Sequence, residues 1–461
     1  MTALWTSAAI AAATVGTASA EFAVSGVAFD SREVGPGELF VAMPGTEFDG
    51  HRFVDGAFRR GAAGAIVSQP VAHPHILVAD TAAALDALGA ASRARTSAKI
   101  AGITGSVGKT GVKEALAAAL ARTPDMRVHR SIKSYNNHTG VPLSLARMPA
   151  DSAYGVFEMG MNHAGEIAAL TRLVRPHVAV VTAVAAVHLE FFSSVEAIAD
   201  AKAEIFEGLE AGGTAVIPYD SPYRDRLIDH ATRHGANILT FGSGAGADVR
   251  ARDTVETATG TTATVVLPGV ELCLTIGQPG AHWLSNGLAV LAAVHALGAD
   301  LGVAALALAD LEAIAGRGAR FEVRVDSVGD GGGSALVLDE SYNANPTSMR
   351  ATLAVLAREG GRKVAVLGAM GELGPDSDAL HAGLADDVVA AGVEIALLVG
   401  KAMTPLATAL EGKVEVRHVA DAAAAGAALA TLIAPGDAIL VKGSNSVGLS
   451  ALVASLNSRT S

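Results

Sequence analysis

The run Thr104-Gly105-Ser106-Val107-Gly108-Lys109-Thr110 lies between an apolar stretch, Ile100 to Thr104, and a helix-patterned segment, Lys109 to Ala121. Glycines there let the backbone curl until its N–H groups point at phosphate oxygens, and the helix N-terminus adds a favourable dipole. Lys109 is placed to reach the β- and γ-phosphates of a nucleotide, and the Thr110 hydroxyl to ligate Mg2+. The usual pattern has a glycine five positions before Gly108, where this chain has Ile103, so the match is to a shortened variant. Glu158 closes a second apolar strand, Tyr154-Gly155-Val156-Phe157. Parallel sheets bind ligands at the carboxyl ends of their strands, so Glu158 is a candidate for the same metal. His188 and Glu190 follow a third such strand, Ala179 to Val184.

Lys202 carries more information. Ser193 with Glu196 forms a capping-box pattern opening a helix over 194–209. On that helix Ile198, Lys202 and Phe206 recur every fourth residue, with Ile205 beside them, while Glu196, Asp200, Glu204 and Glu207 project away. A lysine in that stripe is either desolvated, which favours its neutral, nucleophilic form, or it snorkels to the surface. His282 and Asn286 open an Ala/Leu-rich helix after Pro279-Gly280, and Arg317 sits between two glycines where a hinge cation could reach a phosphate. Asp339 ends a later strand, ahead of Ser341-Tyr342-Asn343-Ala344-Asn345-Pro346. Taken singly, each of these also fits a purely structural role.

The elements that must hold these groups alternate strand and helix, which predicts parallel sheets covered by helices. Residues 1–97 mix short strands with turns such as Gly35-Pro36-Gly37. From Lys99 come strands at 100–104, 154–157, 178–184 and 214–217, with helices at 109–121, 164–173 and 194–209. Thr and Val alternate between Asp248 and Thr275 like a hairpin, an antiparallel appendage, and a helix over 281–297 leads to the break Gly316-Arg317-Gly318. Beyond it, strands at 321–327, 335–339, 363–367, 394–399 and 437–441 alternate with helices at 346–357, 378–390, 420–432 and 446–457, a second doubly wound sheet. Asp330-Gly331-Gly332-Gly333 reads as a hairpin turn, since a strand and not a helix follows it. The fold class is therefore α/β in three domains. A small α/β domain spans 1–97, a P-loop-type parallel-sheet domain 98–317, and a Rossmann-like doubly wound domain 318–461.

Composition narrows the function. A chain of 461 residues exceeds one hydrophobic core, at about 150 residues per domain. Its formal charge of −12 argues against nucleic acid, which normally meets a basic stripe. No apolar run of about 18 residues offers a membrane helix, so water solubility without membrane attachment is expected. Cys273 is the single cysteine, excluding an intrachain disulfide and suiting a reducing, cytoplasmic setting. Ala18-Ser19-Ala20 resembles a signal-peptidase site, yet Met1 to Ala20 contains no Lys or Arg. The expected reading is an Ala-rich helix closed by Gly16, then a strand near Phe22 to Phe29.

Together and in this order, the motifs resemble the Mur ligases of peptidoglycan synthesis over nearly the whole chain. Asp30-Ser31-Arg32, Gly37-Glu38-Leu39-Phe40-Val41-Ala42 and Phe48-Asp49-Gly50-His51 with Gly61-Ala62 look like that family's uridine-nucleotide domain. The segments Thr104–Thr110, Tyr135-Asn136-Asn137-His138 through Leu143, Glu158–Asn162, His188-Leu189-Glu190 and Lys202 are similar to its ATPase domain. Asn136-Asn137 before Gly140-Val141-Pro142-Leu143, and Ser341 through Met349, look specific to the branch that adds a dipeptide. The resemblance implies ATP and two Mg2+ sites. Lys109 and Thr110 would take the phosphates and one metal, Glu158 the same metal, and His188 with a carbamylated Lys202 the second. It implies catalytic roles for Lys109, His188, Lys202 and Arg317. ATP would be held by Thr104 through Thr110, Asn286 at adenine, Arg317 near the γ-phosphate and Asp339 on the ribose side. The implied substrates are UDP-N-acetylmuramoyl-tripeptide and D-alanyl-D-alanine, met by Ser31, Arg32, Asp49, Gly50, His51, Asn136, Asn137, Tyr342, Asn343 and Asn345. The enzyme is expected to work as a monomer.

Two segments depart from the family pattern. Ala369 stands where Asp is usual, and Ser446-Val447-Gly448 lacks an Arg often found there. Three rivals stay open: a Mur ligase adding a single amino acid, a folylpolyglutamate-synthetase-like ligase, and a nucleotide-dependent switch. The N-terminal motifs speak against the folate enzyme, and the absence of an Asn/Thr-Lys-x-Asp motif against a GTPase switch.

Overall fold

Period-two alternation in the strand Lys99–Thr104 sends Ile100 into one apolar layer and Ala101 and Ile103 into the opposite one, so this strand must be covered on both faces. A computed structural model describes residues 3–45, 49–257, 259–325 and 332–458. In it, this strand lies inside a nine-stranded sheet. From edge to edge the order is Val128–Arg130, Tyr154–Glu158, Lys99–Thr104, Val178–Val181, Thr214–Pro218, Asn237–Gly242, Val249–Glu256, Thr261–Leu267 and Val270–Ile276. Pairing is parallel up to Val249–Glu256 and antiparallel beyond it. The Thr/Val alternation thus forms the expected antiparallel strands, but they continue the main sheet and are not a separate appendage.

Helices Lys109–Ala121, Ala281–Leu297 and Leu301–Ala309 cover one face, and Gly140–Ala146, Glu166–Val174, Val195–Ala203 and Arg224–Arg233 the other. The strand expected over 178–184 stops at Val181, because the next residues turn onto the Gly-rich loop. Thr182 N–H donates to Thr104 O at 2.9 Å, and Ser106 N–H to Ala183 O at 2.8 Å. The helix expected over 194–209 is α-helical only to Ala203 and then tightens to a 3-10 turn, Glu204–Gly208. Its N-cap is Ser194, whose hydroxyl accepts from Ala197 N–H at 3.2 Å, one residue later than the Ser193/Glu196 pattern suggested.

The N-terminal sheet has five strands, Thr17–Ala18, His75–Leu77, Gly64–Val67, Leu39–Val41 and Val27–Ala28, the last four parallel. The first helix, Ser7–Thr14, ends on Val15 in the left-handed region at φ 53°, one residue before the expected Gly16. Phe48 lies outside the described residues.

The C-terminal sheet has six strands in the order Ala319–Val325, Gly333–Glu340, Ala438–Lys442, Lys363–Gly368, Val393–Val399 and Glu415–Val419. Only the first pair is antiparallel. The turn expected at Asp330-Gly331-Gly332-Gly333 and the end of the strand expected at 321–327 fall partly outside the described residues. The helix expected over 378–390 is two short helices, Ser377–Ala382 and Ala385–Ala390, interrupted at Gly383.

Candidate active site

The Gly-rich loop is locked before any ligand arrives. Thr182 Oγ1 donates to Val107 O at 2.5 Å, and Ser106 Oγ donates to Ala185 O at 3.0 Å. Gly105 packs so tightly that an added Cβ would fall 1.9 Å from Thr182 Oγ1. At Gly108, in the left-handed region at φ 84°, it would fall 2.7 Å from Asn286 Oδ1. That contact brings Asn286, from the helix Ala281–Leu297, against the loop. Lys109 Nζ donates to Gly105 O at 2.6 Å, and burial, partly opposed by Glu158, lowers its pKa.

Around this loop opens a cleft of about 790 Å³ between the central and C-terminal sheets. Lys109, Thr110, Glu158, His188, Lys202, Asn286 and Arg317 all line it. Thr110 Oγ1 donates to Glu158 Oε2 at 2.8 Å, and Asn136 Nδ2 donates to Glu158 Oε1 at 2.8 Å. Hydroxyl and carboxylate oxygens suit a hard cation, which usually binds one or two carboxylates plus substrate phosphates and water. Among the described residues no three His, Cys, Asp or Glu side chains converge as a ready-made metal site. The donor set therefore fits Mg2+ arriving with a nucleotide.

Lys202 is only 1% exposed and lies among Ile198, Ile205 and Phe206, each fully buried. Among the described residues it has no hydrogen-bond or ion-pair partner. Burial, reinforced by the nearby Lys109 charge, pushes its pKa well below the ordinary lysine value. The desolvated alternative, not the snorkelled one, is what the helix builds. Glu204, expected to face solvent, is half-buried, its carboxylate accepting from Gly165 N–H at 2.6 Å and Ala168 N–H at 3.1 Å at the start of the helix Glu166–Val174.

Asn136, Asn137, Tyr342, Asn343 and Asn345 also line the cleft. Asp339 is buried and does not line the cleft. Its carboxylate accepts from Gly316 N–H at 2.7 Å and from Ser341 Oγ at 2.6 Å, tying the Gly316–Gly318 break to the C-terminal sheet. Arg317 stacks over the Tyr342 ring at 4.0 Å and reaches Ser134 Oγ at 3.3 Å. Asn137 Oδ1 accepts from Gly140 N–H at 2.9 Å just ahead of the helix Gly140–Ala146, and Asn345 caps Pro346–Leu356 through Ser348 N–H at 2.9 Å. The main-chain oxygen of Asn343 accepts from Lys442 Nζ at 2.9 Å. Ser31, Arg32, Asp49, Gly50 and His51 belong to the N-terminal domain and do not line the cleft. Arg32 forks onto Asp30, and His51 accepts from Ser68 N–H at 2.8 Å while its other nitrogen meets Asp49.

Three groups escaped the sequence reading. Lys113 is fully buried one turn after Lys109. Its Nζ donates to Ser131 O at 2.9 Å and Lys133 O at 2.6 Å, holding the loop that carries Asn136. Its place on the apolar face with Val112, Leu116 and Leu120 was the available signal. The same loop reaches the N-terminal domain, where Lys133 Nζ pairs with Glu33 and Tyr135 Oη donates to Glu33 at 3.0 Å. Buried Lys442 and partly buried Glu340 pair at 3.6 Å on the C-terminal wall; desolvation raises the carboxyl and lowers the amine. His282 beside them is pushed down to about 4, first by burial and then by Lys442.

Comparison with known proteins finds relatives over nearly the whole chain. Models of the Mur ligase middle domain, the Mur ligase glutamate ligase domain and the Mur ligase family catalytic domain match residues 103–294, 319–445 and 23–130. A UDP-N-acetylmuramoyl-tripeptide–D-alanyl-D-alanine ligase of Escherichia coli strain K12 is 37% identical over 95% of this chain and 94% of its own. The chain belongs to the Mur ligase family. Among solved structures, MurF from Acinetobacter baumannii superposes with a TM-score of 0.84 at 31% identity, covering 98% of both chains. A Thermotoga maritima MurF ligase in complex with ADP does so at 0.75 and 28% identity, covering 95% of this chain and 98% of its own. The three-domain α/β architecture of this Mur ligase is thus the one its relatives carry. Among the described residues no helix is long and apolar enough to cross a membrane.

Proposed function

We propose that this Mur ligase joins D-alanyl-D-alanine to UDP-N-acetylmuramoyl-tripeptide in peptidoglycan precursor synthesis, forming ADP and phosphate, in the cytoplasm. The carrying observation is the full-length kinship with ligases of that name together with one cleft that gathers Lys109, Thr110, Glu158, His188 and Lys202.

The tripeptide's terminal carboxylate attacks the γ-phosphorus of ATP. The bond from that phosphorus to the bridging oxygen breaks, and ADP leaves. Carboxylate and triphosphate repel each other, so Lys109 and Arg317 must offset negative charge as it gathers. Mg2+, held by Thr110 and Glu158, and at a second site by His188 and a carbamylated Lys202, would add charge neutralisation. Carbamylation needs a neutral amine, which the burial of Lys202 favours, and it supplies an oxygen ligand. The dipeptide's amino group then attacks the acyl phosphate, phosphate leaves, and the amine proton is lost to solvent.

Units of 1–97, 98–317 and 318–461 divide the labour among the uridine nucleotide, ATP and the acceptor. Water would hydrolyse the acyl phosphate, so the C-terminal unit must close over the cleft, turning at Gly316–Gly318. Both glycines have positive φ, 74° and 97°, a conformation with little penalty only for glycine. The decisive experiment measures ADP release with UDP-N-acetylmuramoyl-tripeptide, with D-alanyl-D-alanine and with single amino acids. Turnover with the dipeptide alone supports the reading. Turnover with a single amino acid, or ATP binding without ADP formation, overturns it.

A further inference from the structure

The rim where the C-terminal sheet meets the central one carries a contact that the chemistry above does not use. His188 Nδ1 lies 2.5 Å from Glu372 Oε2, joining residues 184 apart in the chain. Both residues sit in the left-handed region, at φ 57° and 58°. Non-glycine residues stay there only when their surroundings over-determine them, and such positions cluster at functional sites. The two loops touch again close by. Glu190 N–H donates to Glu372 O at 3.4 Å, and an added Cβ on Gly374 would stand 3.2 Å from Leu189 O. Among the described residues His188 Nε2 has no hydrogen-bond partner, and both His188 and Glu372 line the cleft.

We propose that Glu372 is a positioning residue for the metal site: its carboxylate accepts from His188 Nδ1–H and leaves the Nε2 lone pair for the cation. This rests on reading His188 as a Mg2+ ligand. A carboxylate on one ring nitrogen fixes the tautomer and the ring orientation and raises the basicity of the other nitrogen. Glu372 comes from the C-terminal unit and His188 from the central one. The second metal site is therefore complete only when the two units are apposed, and metal binding favours apposition in turn.

The test titrates Mn2+ into the full chain saturated with a non-hydrolysable ATP analogue, reading free Mn2+ by electron paramagnetic resonance. His188→Ala should lose one Mn2+ equivalent. Glu372→Ala should weaken that same equivalent by about 10–100-fold. Glu372→Gln, whose amide oxygen still accepts from Nδ1–H, should recover most of the affinity. The 15N shifts of the His188 ring, recorded without metal, should report the Nδ1–H tautomer in the parent chain and a mixture in Glu372→Ala. Wild-type Mn2+ affinity or an unchanged tautomer in Glu372→Ala, with the equivalent still lost in His188→Ala, overturns the role of Glu372 and leaves the ligand reading standing. Retention of both equivalents by His188→Ala removes the ligand reading, and this proposal with it.

Discussion

Burying the Lys202 amine carries a cost, and that cost is measurable. Its folded-state pKa lies well below 10.5. Between those two values the unfolded chain binds a proton that the folded chain does not, so stability rises with pH across that window. Lys202→Met should therefore melt higher than the parent chain at neutral pH in carbonate-free buffer, with the difference shrinking as the pH approaches 10.5. Calorimetry over pH 7–10 checks the sign, and each kcal/mol is worth about 2–4 °C in a domain of this size. Activity should move the opposite way. Lys202→Ala should release little ADP until short carboxylates are added, and full activity without them would remove the carbamate role. Lys202 was legible in the sequence as a lysine on an apolar helical stripe, and the structure decides for burial over snorkelling. The bond from Asn136 to Glu158 was not, because it depends on how the loop after the edge strand Val128–Arg130 folds back over the strand tip. Asn136→Ala should raise the Mg2+ requirement of ADP formation about tenfold, with turnover at saturating Mg2+ largely retained.

The elements follow their own patterns wherever neighbours agree with them. The helix Lys109–Ala121 stands where the periodicity put it, because Val112, Leu116 and Leu120 need one buried face and Gly108 supplies the turn before it. The strand expected to reach residue 184 fails at Val181, since its next backbone groups bond to the Gly-rich loop. No hydropathy pattern encodes that exchange. Asn345, expected as a substrate contact, lines the cleft and also forms a complete capping box with Ser348. At this scale Lys113 is the decisive side chain. Lys113→Met keeps the apolar stem but releases the carbonyls of Ser131 and Lys133. It should raise KM for MgATP several-fold and increase proteolytic nicking within 131–138, with global melting changed by only a few degrees. Unchanged cleavage would show that the loop holds itself.

Across the whole molecule, sequence patterning foresaw two doubly wound sheets but not which of their edges would meet. Contacts between units, such as His188 with Glu372 and Arg358 with Glu256, join residues with no local signal to pair them. The break at Gly316–Gly318 is the exception, because its glycines are needed by geometry and visible by composition. A Cβ at Gly316 would come 2.9 Å from Tyr342 Cβ. Gly316→Val should consequently lower kcat at least tenfold while nucleotide affinity stays within a few-fold, separable by equilibrium binding and steady-state ADP release.

The loop gripped by Lys113 spans more than one unit. At one end Lys133 and Tyr135 hold Glu33 of the N-terminal domain; at the other, Asn136 holds Glu158 beside the Gly-rich loop. A small molecule wedged between Glu33 and Tyr135 would disturb that carboxylate from behind, and so would inhibit without competing with ATP.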